Sequence, residues 1–334
     1  MKTATFKQYI LEFKQASGTS RGVLTTKETY FLEVFDGDKK GIGECGIFRG
    51  LSFEDIPEYE EMLKWLCDNI NENKKTLRKE LLHFPSIWFG YEQAMLNLKH
   101  GEDLYFPSEF SEGYSSLKIN GLIWMGEADF MKQQIEEKLN QGFHCLKLKI
   151  GIDWKAEKEI LKQLREKFGK EDLELRVDAN GGFTFEEAKI VLQELADLDI
   201  HSIEQPIKAG NIEEMAELCK NTPTPIALDE ELIGVLNFDD KKELLEKINP
   251  QFIILKPSLV GGFSGTDEWI SFAEAKKIGW WITSALESNL GLNAIAQYVF
   301  TKNPKIPQGL GTGGLFTNNL ETRLVLHGDE LMMR

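Results

Sequence analysis

Residues 145–151 read Cys-Leu-Lys-Leu-Lys-Ile-Gly, a stretch in which lysines alternate with aliphatic residues. A period of two is typical of a β-strand, whose successive side chains point to opposite faces. Lys147 and Lys149 therefore share one face, and the aliphatic side chains share the other. A single strand of this kind most often lies at a surface with its lysines in water. The residues that follow decide whether the two lysines line a site instead.

Six apolar segments, this one included, end at a polar residue, at intervals of 25 to 29 residues. The end positions are Lys149, Asp178, Glu204, Asp229, Lys256 and Ser284. Helical periodicity lies between them, so each interval accommodates one strand and one helix. With a first strand from Ser116 and a last one near Pro307 to Gly311, eight units over roughly 200 residues predict a (β/α)8 barrel. The alternative is an open doubly wound sheet, which usually carries a glycine-rich phosphate turn that is absent here.

The first hundred residues have a different pattern. Three strands are predicted at Thr5 to Phe13, Thr29 to Phe35 and Lys40 to Cys45, followed by helices at Glu58 to Ile70 and Ser86 to Leu98. Strands followed by helices, without alternation, predict a small α+β unit ahead of the α/β barrel.

The composition restricts the partners. The chain has 334 residues, 39 basic and 54 acidic, for a formal net charge of −15. That charge disfavours nucleic acid and anionic membranes as partners, and no apolar run approaches the roughly 18 residues of a membrane-spanning helix. The N-terminus is too often interrupted by polar residues to form a signal-peptide core. Isolated cysteines fit reduced thiols, and the histidines show no zinc-ligand spacing. We therefore expect a cytoplasmic protein.

Three of the strand-end residues are carboxylates, Asp178, Glu204 and Asp229. Taken singly, each has an ordinary explanation as a turn residue, a solvated strand end or a helix cap. The C-terminal ends of barrel strands converge on one mouth, where three carboxylates would repel one another unless a divalent cation lay between them. Ligands that are oxygen only favour Mg²⁺ or Mn²⁺ over zinc. Arg176 and Asn180 share a face with Asp178 and are predicted to support it.

The lysines flank this predicted metal site. Lys147 and Lys149 precede it, and Lys256 ends the strand after the last ligand. A lysine acts as a general base near neutral pH only if its pKa falls, and a second lysine, burial and a metal ion all lower it. Bases beside a metal suit removal of a proton α to a carboxylate, with the enediolate held on the cation.

The motifs resemble those of the enolase superfamily, in its muconate-lactonising subgroup, over essentially the whole chain. They are KxK at Lys147/Lys149, DAN at Asp178 to Asn180, EQP at Glu204 to Pro206, DE at Asp229-Glu230 and LKP at Leu255 to Pro257. The resemblance implies a modified TIM barrel over residues 111–314. It also implies an N-terminal capping domain over residues 1–110 that the C-terminal tail, residues 315–334, completes.

Within the superfamily, four segments are most similar to the o-succinylbenzoate synthase family. They are FPSIWFGYEQA (84–94), INGLIWMG (119–126), TSALESNLGLNAIAQ (283–297) and QGLGTGGLF (308–316). Dipeptide epimerases of the same fold carry an acidic DxD-type motif at the last strand, to grip a substrate ammonium. Here that place reads GLGTGG, whose backbone N–H groups and hydroxyl suit a carboxylate or carbonyl better.

The resemblance implies a Mg²⁺-dependent dehydration of 2-succinyl-6-hydroxy-2,4-cyclohexadiene-1-carboxylate to o-succinylbenzoate, a step of menaquinone biosynthesis. Asp178, Glu204 and Asp229 would hold Mg²⁺, with Mn²⁺ as the alternative and Glu230 in support. Lys149 would remove the α-proton and then protonate the departing hydroxyl. Lys256 would stabilise the enediolate from the other face, and Lys147 would lower the pKa of Lys149.

Weaker candidates would position this small carboxylate substrate. Ser284 and the Gly311, Thr312 and Gly313 segment would hold the succinyl group, and cap loops at Ser17 to Leu24 and Ile47 to Leu51 would exclude water. Arg21 and Arg49 could reach the distal carboxylate, although an arginine in such a loop is more often simply solvated. The sequence leaves open whether the protein is a monomer or a homo-oligomer.

Other functions fit parts of the pattern. An N-acylamino acid racemase or a dipeptide epimerase of the same superfamily would use Lys149 and Lys256 as bases on opposite faces. A Schiff-base aldolase with Lys256 as nucleophile leaves the three carboxylates unexplained. A non-catalytic metal-binding relative has no use for two buried bases.

Overall fold

The computed structural model describes residues 1–19 and 22–334. The strands are β1 (Thr3–Thr19), β2 (Gly22–Asp36), β3 (Lys39–Cys45), β4 (Ser116–Lys118), β5 (Gly121–Ile123), β6 (Cys145–Lys149), β7 (Glu174–Asp178), β8 (Ser202–Glu204), β9 (Ile226–Leu228), β10 (Phe252–Leu255), β11 (Gly279–Ile282), β12 (Leu324–His327) and β13 (Glu330–Met333). The helices are α1 (Tyr59–Asp68), α2 (Lys74–Glu80), α3 (Pro85–His100), α4 (Ala128–Asn140), α5 (Trp154–Lys167), α6 (Phe185–Ala196), α7 (Ile212–Asn221), α8 (Phe238–Ile248), α9 (Pro257–Val260), α10 (Gly262–Ala275) and α11 (Asn289–Thr301).

Strands β5 to β11 form one parallel sheet in chain order, and each is followed by at least one helix. Gln308 and Gly309 close this sheet into a barrel, since Gln308 bridges to Ile119 and Gly309 bridges to Thr283, both in parallel. The eighth strand is therefore two single-residue bridges, shorter than the predicted Pro307 to Gly311. The predicted barrel is confirmed, and the open doubly wound sheet is excluded.

The strand predicted from Ser116 is in fact two strands of different sheets. β4 pairs antiparallel with β13, and β5 pairs parallel with β6. The chain changes partners at Ile119 and Asn120, whose N–H groups donate to the carbonyls of Asp329 (2.9 Å) and Gln308 (3.0 Å). The apolar pattern continues across this change because both strands face hydrophobic cores, so the sequence does not reveal it.

The N-terminal strands form an antiparallel sheet, β1-β2-β3, whose buried residues pack on helix α3. The approach of sheet and helix is close, because a Cβ at Gly43 would lie 2.0 Å from the Gly90 carbonyl oxygen. The C-terminal tail contacts β1, as the N–H of Lys14 donates to the Leu315 carbonyl at 2.8 Å and the N–H of Thr317 to the Glu12 carbonyl at 2.8 Å. These contacts accord with a cap that the tail completes, and the domain boundaries stay a prediction.

Strand β6 is buried on both faces. Leu146 and Leu148 are 0% and 1% exposed and belong to the core between barrel and helices, whereas Lys147, on the opposite face, is 8% exposed. The lysine face therefore looks into the barrel and not into bulk water. Separately, no helix in the described ranges 1–19 and 22–334 is long and apolar enough to cross a membrane.

Candidate active site

The mouth of the barrel collects the polar strand ends because neighbouring parallel strands are in register. Lys149 is the Cα partner of Asp178, and Asp178 is the partner of Glu204. The ammonium of Lys149 donates to Asp178 Oδ2 at 2.9 Å and to Asn180 Oδ1 at 2.7 Å. Residues spaced one strand–helix unit apart in the sequence thus lie side by side.

Each of the three predicted metal ligands forms an ion pair with a lysine. Lys147 Nζ lies 2.7 Å from Glu204 Oε2 and 3.5 Å from Asp178 Oδ2, and Lys256 Nζ donates to Asp229. In the part of the chain that the structure describes, no three acidic, histidine or cysteine side chains are already gathered as a ligand set. The lysine ammoniums neutralise the carboxylates in this arrangement, so metal binding requires the ammoniums to turn away.

The carboxylates nevertheless fit a divalent cation. Oxygen Oε1 of Glu204 is buried and has no hydrogen-bond partner among the residues that the structure describes. Burial raises the pKa of Glu204 to about 8, and the charges of Asp178 and Asp229 act in the same direction. A buried carboxylate oxygen with unused capacity, beside two more carboxylates, is an environment that a bound cation would relieve.

The pKa values of Lys147 and Lys256 are raised, whereas a lysine that acts as a general base needs a lowered pKa. Burial alone would lower the pKa of Lys147, but the carboxylates of Glu204 and Asp178 outweigh it and raise the pKa. The pKa of Lys256 is raised in the same way, against burial, by Asp229 and Glu204. These carboxylates were predicted only as metal ligands, whereas here they are also the ion-pair partners of the lysines. Lowered lysine pKa values would require the carboxylate charge to be taken up by a cation.

Asn180 and Glu230 lie where the sequence places them. The backbone N–H of Asn180 donates to Asp178 Oδ1 at 3.1 Å, and its side-chain amide donates to Glu230 Oε1 at 2.9 Å. Asn180 has a φ of 43°, a left-handed conformation that asparagine tolerates better than most residues. It thereby links Lys149, Asp178 and Glu230.

Arg176 does not support Asp178 as predicted. It is 1% exposed and donates to Glu174 Oε1 at 2.7 Å and to the Pro307 carbonyl at 3.0 Å, with its guanidinium 4.6 Å from the centre of the Trp281 ring. Its side chain fills the barrel interior towards the start of β7. Arg176 and Asp178 share a face of β7, but residues two positions apart on a barrel strand lie in different layers of the interior. Arg176 is therefore in a deeper layer and does not contact Asp178.

Gln205 is a site residue that the sequence analysis did not single out. It is fully buried, and its Oε1 accepts from the backbone N–H groups of Asp229 and Glu231, both at 3.2 Å. Its amide donates to Glu231 Oε2 at 3.0 Å. Gln205 therefore fixes the loop that carries Asp229 against the strand that carries Glu204. The EQP motif contained the signal.

A cavity that is partly open to solvent lies above these charges. Its lining combines the lysines with apolar side chains and residues of the last two strand ends. The lining residues are Phe48, Leu51, Asn120, Leu122, Trp124, Lys147, Lys149, Asp178, Asn180, Lys256, Thr283, Ser284, Ala285, Leu286, Gly309, Gly311 and Thr312. The mixture of apolar walls and convergent charges is typical of a small-molecule site.

Several of the residues predicted to position the substrate lie at this cavity. Ser284, Gly311 and Thr312 line it, and the hydroxyls of Ser284 and Thr312 are hydrogen-bonded at 2.6 Å. Gly313 is not among the lining residues, and its carbonyl accepts from Asn319 at 3.0 Å. Phe48 and Leu51 place the Ile47 to Leu51 loop at the mouth.

The two arginine candidates have different outcomes. Arg49 does not reach the cavity, because its guanidinium is held by Asp55 at 2.8 Å and Glu28 at 2.5 Å. Its place beside the substrate is therefore not supported. Arg21 lies outside the described residues, as does part of the Ser17 to Leu24 loop. Trp124, Asn120 and Leu286 line the cavity instead. They lie in the segments 119–126 and 283–297 that carry the family resemblance, but the sequence assigned them no individual role.

Comparison with known proteins gives consistent findings. Residues 130–322 match the family described as enolase C-terminal domain-like. The chain is 43% identical to the o-succinylbenzoate synthase of Desulfotalea psychrophila (strain LSv54 / DSM 12343), over 97% of each chain. The crystal structure of MenC from Desulfotalea psychrophila LSv54 superimposes with a TM-score of 0.89, at 41% identity, over 99% of each chain.

Epimerases match more weakly. The L-Ala-D/L-Glu epimerase of Bacillus subtilis (strain 168) is 29% identical, over 57% of this chain and 52% of its own. The dipeptide epimerase of Enterococcus faecalis V583, whose structure was determined with Mg and the dipeptide L-Leu-L-Tyr, has a TM-score of 0.86 at 21% identity, over 99% of this chain and 96% of its own. This last likeness shows the shared fold.

Proposed function

Because this chain belongs to the enolase superfamily, we propose that it is an o-succinylbenzoate synthase, a lyase that dehydrates 2-succinyl-6-hydroxy-2,4-cyclohexadiene-1-carboxylate to o-succinylbenzoate. The 43% identity to a synthase over nearly the whole chain supports the proposal. One observation of the structure carries it: Lys149 and Lys256 face one cavity from β6 and β10, with the three carboxylates on the strands between them. The role would be in menaquinone biosynthesis, in the cytoplasm.

Members of the superfamily generally depend on a divalent metal ion. We propose that Asp178, Glu204 and Asp229 hold Mg²⁺, with Mn²⁺ as the alternative. When bound, the ion would supply positive charge beside the substrate carboxylate as the α-proton leaves. Asn180 and Gln205 would keep the ligands in place through their contacts with Asp178 and Asp229.

The proton transfers would belong to the lysines. Nζ of Lys149, as a neutral amine, takes the proton from the carbon α to the carboxylate. The same Nζ then returns it to the hydroxyl that leaves from the same face. A C–H and a C–O bond break, a ring double bond forms, and water departs. Lys256 stays protonated across the ring and stabilises the negative charge that develops, and Lys147 adds positive charge beside the carboxylate.

The walls of the cavity suit the rest of the substrate. Phe48, Leu51, Leu122 and Trp124 offer apolar surface to a six-membered ring. The last strand end offers the hydroxyl of Thr312 and backbone groups, where a substrate ammonium would require a carboxylate. The lining therefore favours a succinyl carboxylate over the amino group of a dipeptide.

An N-acylamino acid racemase is the second candidate, because Lys149 and Lys256 reach the cavity from different sides. Such a racemase would use each lysine as the base for one enantiomer. Incubation with N-succinylamino acids in deuterium oxide distinguishes the two functions. Deuterium exchange at the α-carbon that is much faster than dehydration would contradict the synthase proposal.

The decisive assay measures dehydration by the absorbance of the aromatic product, with Mg²⁺ present. We expect turnover by the wild-type enzyme and a kcat lower by about 10³-fold or more for Lys149→Ala, because general acid–base groups contribute on that order. Lys155→Ala, an exposed lysine on α5, is the matched control and should retain wild-type kcat. A silent wild type would contradict the function, and an active Lys149→Ala variant would contradict the mechanism.

A further inference from the structure

The segment TSALESN, residues 283–289, contains a buried carboxylate to which the proposed chemistry assigns no role. Glu287 is 0% exposed. Its Oε1 accepts from the hydroxyl of Ser258 at 2.6 Å, and its Oε2 accepts from the backbone N–H of Ala285 at 2.7 Å. One side chain therefore joins two loops of the barrel mouth.

Both loops bear directly on the cavity. Ser258 lies two residues after Lys256, in the first turn of α9, so its position sets the direction in which the chain leaves Lys256. Ala285 and Leu286 are part of the cavity wall. Leu286 has a φ of 63°, a left-handed conformation that is strained for a leucine and persists only when its surroundings hold it. The hydrogen bond from Ala285 to Glu287 spans this strained residue.

The cap packs on the same side chain. A Cβ at Gly46 would lie 3.2 Å from Cγ of Glu287 and 3.8 Å from Cβ of Ser258, so the chain of the cap passes directly over their contact. Two residues later, Phe48 enters the cavity wall. The cap therefore packs against the side chain of Glu287 where it joins the two loops.

A buried lysine of the cap interacts electrostatically with Glu287. Lys27, on β2, is 5% exposed, and its ammonium has no hydrogen-bond partner within the described residues. Its electrostatic neighbours include Glu44 and Glu287. Glu44 is already held by the backbone N–H groups of Ser288 and Gly291 at 2.9 Å each, at the start of α11. The charges of Glu44, from the cap, and of Glu287, from the barrel, thus both act on the buried ammonium of Lys27.

We propose that Glu287 is a positioning residue, which orients Lys256 through Ser258 and holds the wall at Ala285 and Leu286, and that Lys27 makes this positioning depend on a seated cap. The inference rests on the proposed function, since it requires Lys256 to act on the substrate. A displaced Lys256 stabilises the developing charge less well, so the loss falls on kcat more than on KM.

Ser258→Ala tests the link to Lys256, because it removes one oxygen atom and leaves Glu287 in place. We expect kcat to fall about 10-fold, with KM for the substrate and the affinity for Mg²⁺, measured by calorimetry, each within twofold of wild type. Thr266→Val is the matched control, since it removes a buried hydroxyl that donates only to the Gly262 carbonyl at 2.7 Å. A kcat for Ser258→Ala within twofold of the control would overturn the proposal.

A double-mutant cycle tests whether Ser258 acts through Glu287. We expect Glu287→Ala to lower kcat at least as much as Ser258→Ala, and the double variant to be no slower than Glu287→Ala alone. If the two losses in kcat multiply in the double variant, the two residues act independently, and the proposal that Ser258 acts through Glu287 is contradicted. The single Ser258→Ala result decides the main claim even if Glu287→Ala does not fold.

Lys27→Met tests whether the cap contributes to this positioning. We expect kcat to fall about threefold or more at unchanged KM, and a kcat equal to wild type would remove the cap from the proposal.

These outcomes are distinct from failure of the proposed function. A wild type without dehydratase activity contradicts that function, whereas an active wild type with an equally active Ser258→Ala variant contradicts the positioning role alone.

Discussion

Two of the buried groups of charges in the described part of the molecule are built differently. The mouth cluster consists of Lys147, Lys149, Lys256, Asp178, Glu204 and Asp229, and the interface cluster consists of Lys27, Glu44 and Glu287. In the mouth cluster, flexible lysine ammoniums hold the carboxylates. In the interface cluster, Glu44 is held by two backbone N–H groups, which are fixed in the chain, and by two hydroxyls.

This difference separates exchangeable partners from fixed ones. An ammonium on a four-carbon stem can turn away when a cation arrives, so the mouth carboxylates remain available as ligands. A backbone N–H at a helix start cannot turn, so Glu44 serves the structure. Both clusters bury carboxylates together with lysine, and the chemical type of the hydrogen-bond donor distinguishes their roles.

Metal removal should have the largest effect on the mouth cluster. Dialysis against EDTA is expected to abolish dehydratase activity, because the three carboxylates would again be neutralised by lysines and not by the ion. Added Mg²⁺ or Mn²⁺ should restore it, as followed by product absorbance. Full activity in excess EDTA would mean that the carboxylates are structural, as in the interface cluster, and would favour a Schiff-base lysine.

Glu44→Ala should break the interface cluster. The change leaves the start of α11 without its acceptor and Lys27 without one of its two buried counter-charges. We expect the free energy of unfolding to fall by about 3 kcal/mol, as measured by urea denaturation. Glu33→Ala on β2 is the control, since the Glu33–Lys40 pair is exposed to solvent and should contribute less than about 1 kcal/mol. Equal losses in the two variants would contradict the distinction.

Glu54 sharpens the comparison with a buried carboxylate that belongs to neither cluster. It accepts from the backbone N–H of Ser86 at 2.9 Å, and burial raises its pKa to about 7. The unfolded chain ionises this group near pH 4.5 and the folded one near pH 7, so the folded state binds more protons in that window. Protonation of Glu54 therefore contributes about 3 kcal/mol to the free energy of unfolding. This contribution is complete below about pH 4.5 and is lost as the pH rises to about 7.

The measurement for Glu54 is urea denaturation at several pH values between 4.5 and 7.5, for the wild type and Glu54→Gln. Other groups titrate in the same range, so the informative quantity is the difference between the two proteins. We expect this difference to change with pH in the stated direction. A difference that is constant across the range would show that Glu54 ionises normally in the folded state.

Arg49 should give the smallest effect. Glu28 and Asp55 hold its guanidinium in a partly exposed network away from the cavity. Arg49→Ala is therefore expected to leave KM within about twofold of wild type and to cost about 1 kcal/mol of stability or less. A tenfold rise in KM would show that the arginine joins the substrate site after all.

The barrel and its charged mouth were predictable because parallel strands in register turn a sequence interval into a neighbour relationship. Lys149, Asp178 and Glu204 are consecutive partners across β6, β7 and β8 for that reason. Strand register does not specify depth in the barrel, which is why the position of Arg176 was not predicted. It also does not specify contacts between residues far apart in the chain.

Long-range contacts explain what the sequence did not show. Glu44 and Ser288 are 244 residues apart, and no local pattern announces that they meet. Arg49 was a candidate for the distal carboxylate of the substrate, and its actual partners Glu28 and Asp55 come from a sheet and a turn whose packing the sequence does not specify. Leu286 and Trp124 enter the cavity through loop conformations, which depend on tertiary contacts and not on periodicity.

The closure of the barrel by Gln308 and Gly309 has a consequence for synthesis of the chain. Until these two residues leave the ribosome, seven strands form a sheet with both edges, β5 and β11, open to unwanted pairing. The side chain of Gln308 then completes the seam, accepting from the N–H of Ile282 at 2.8 Å and donating to the Ile306 carbonyl at 2.8 Å. A nascent chain truncated before residue 308 would thus carry most of the active-site residues on an unclosed, aggregation-prone sheet.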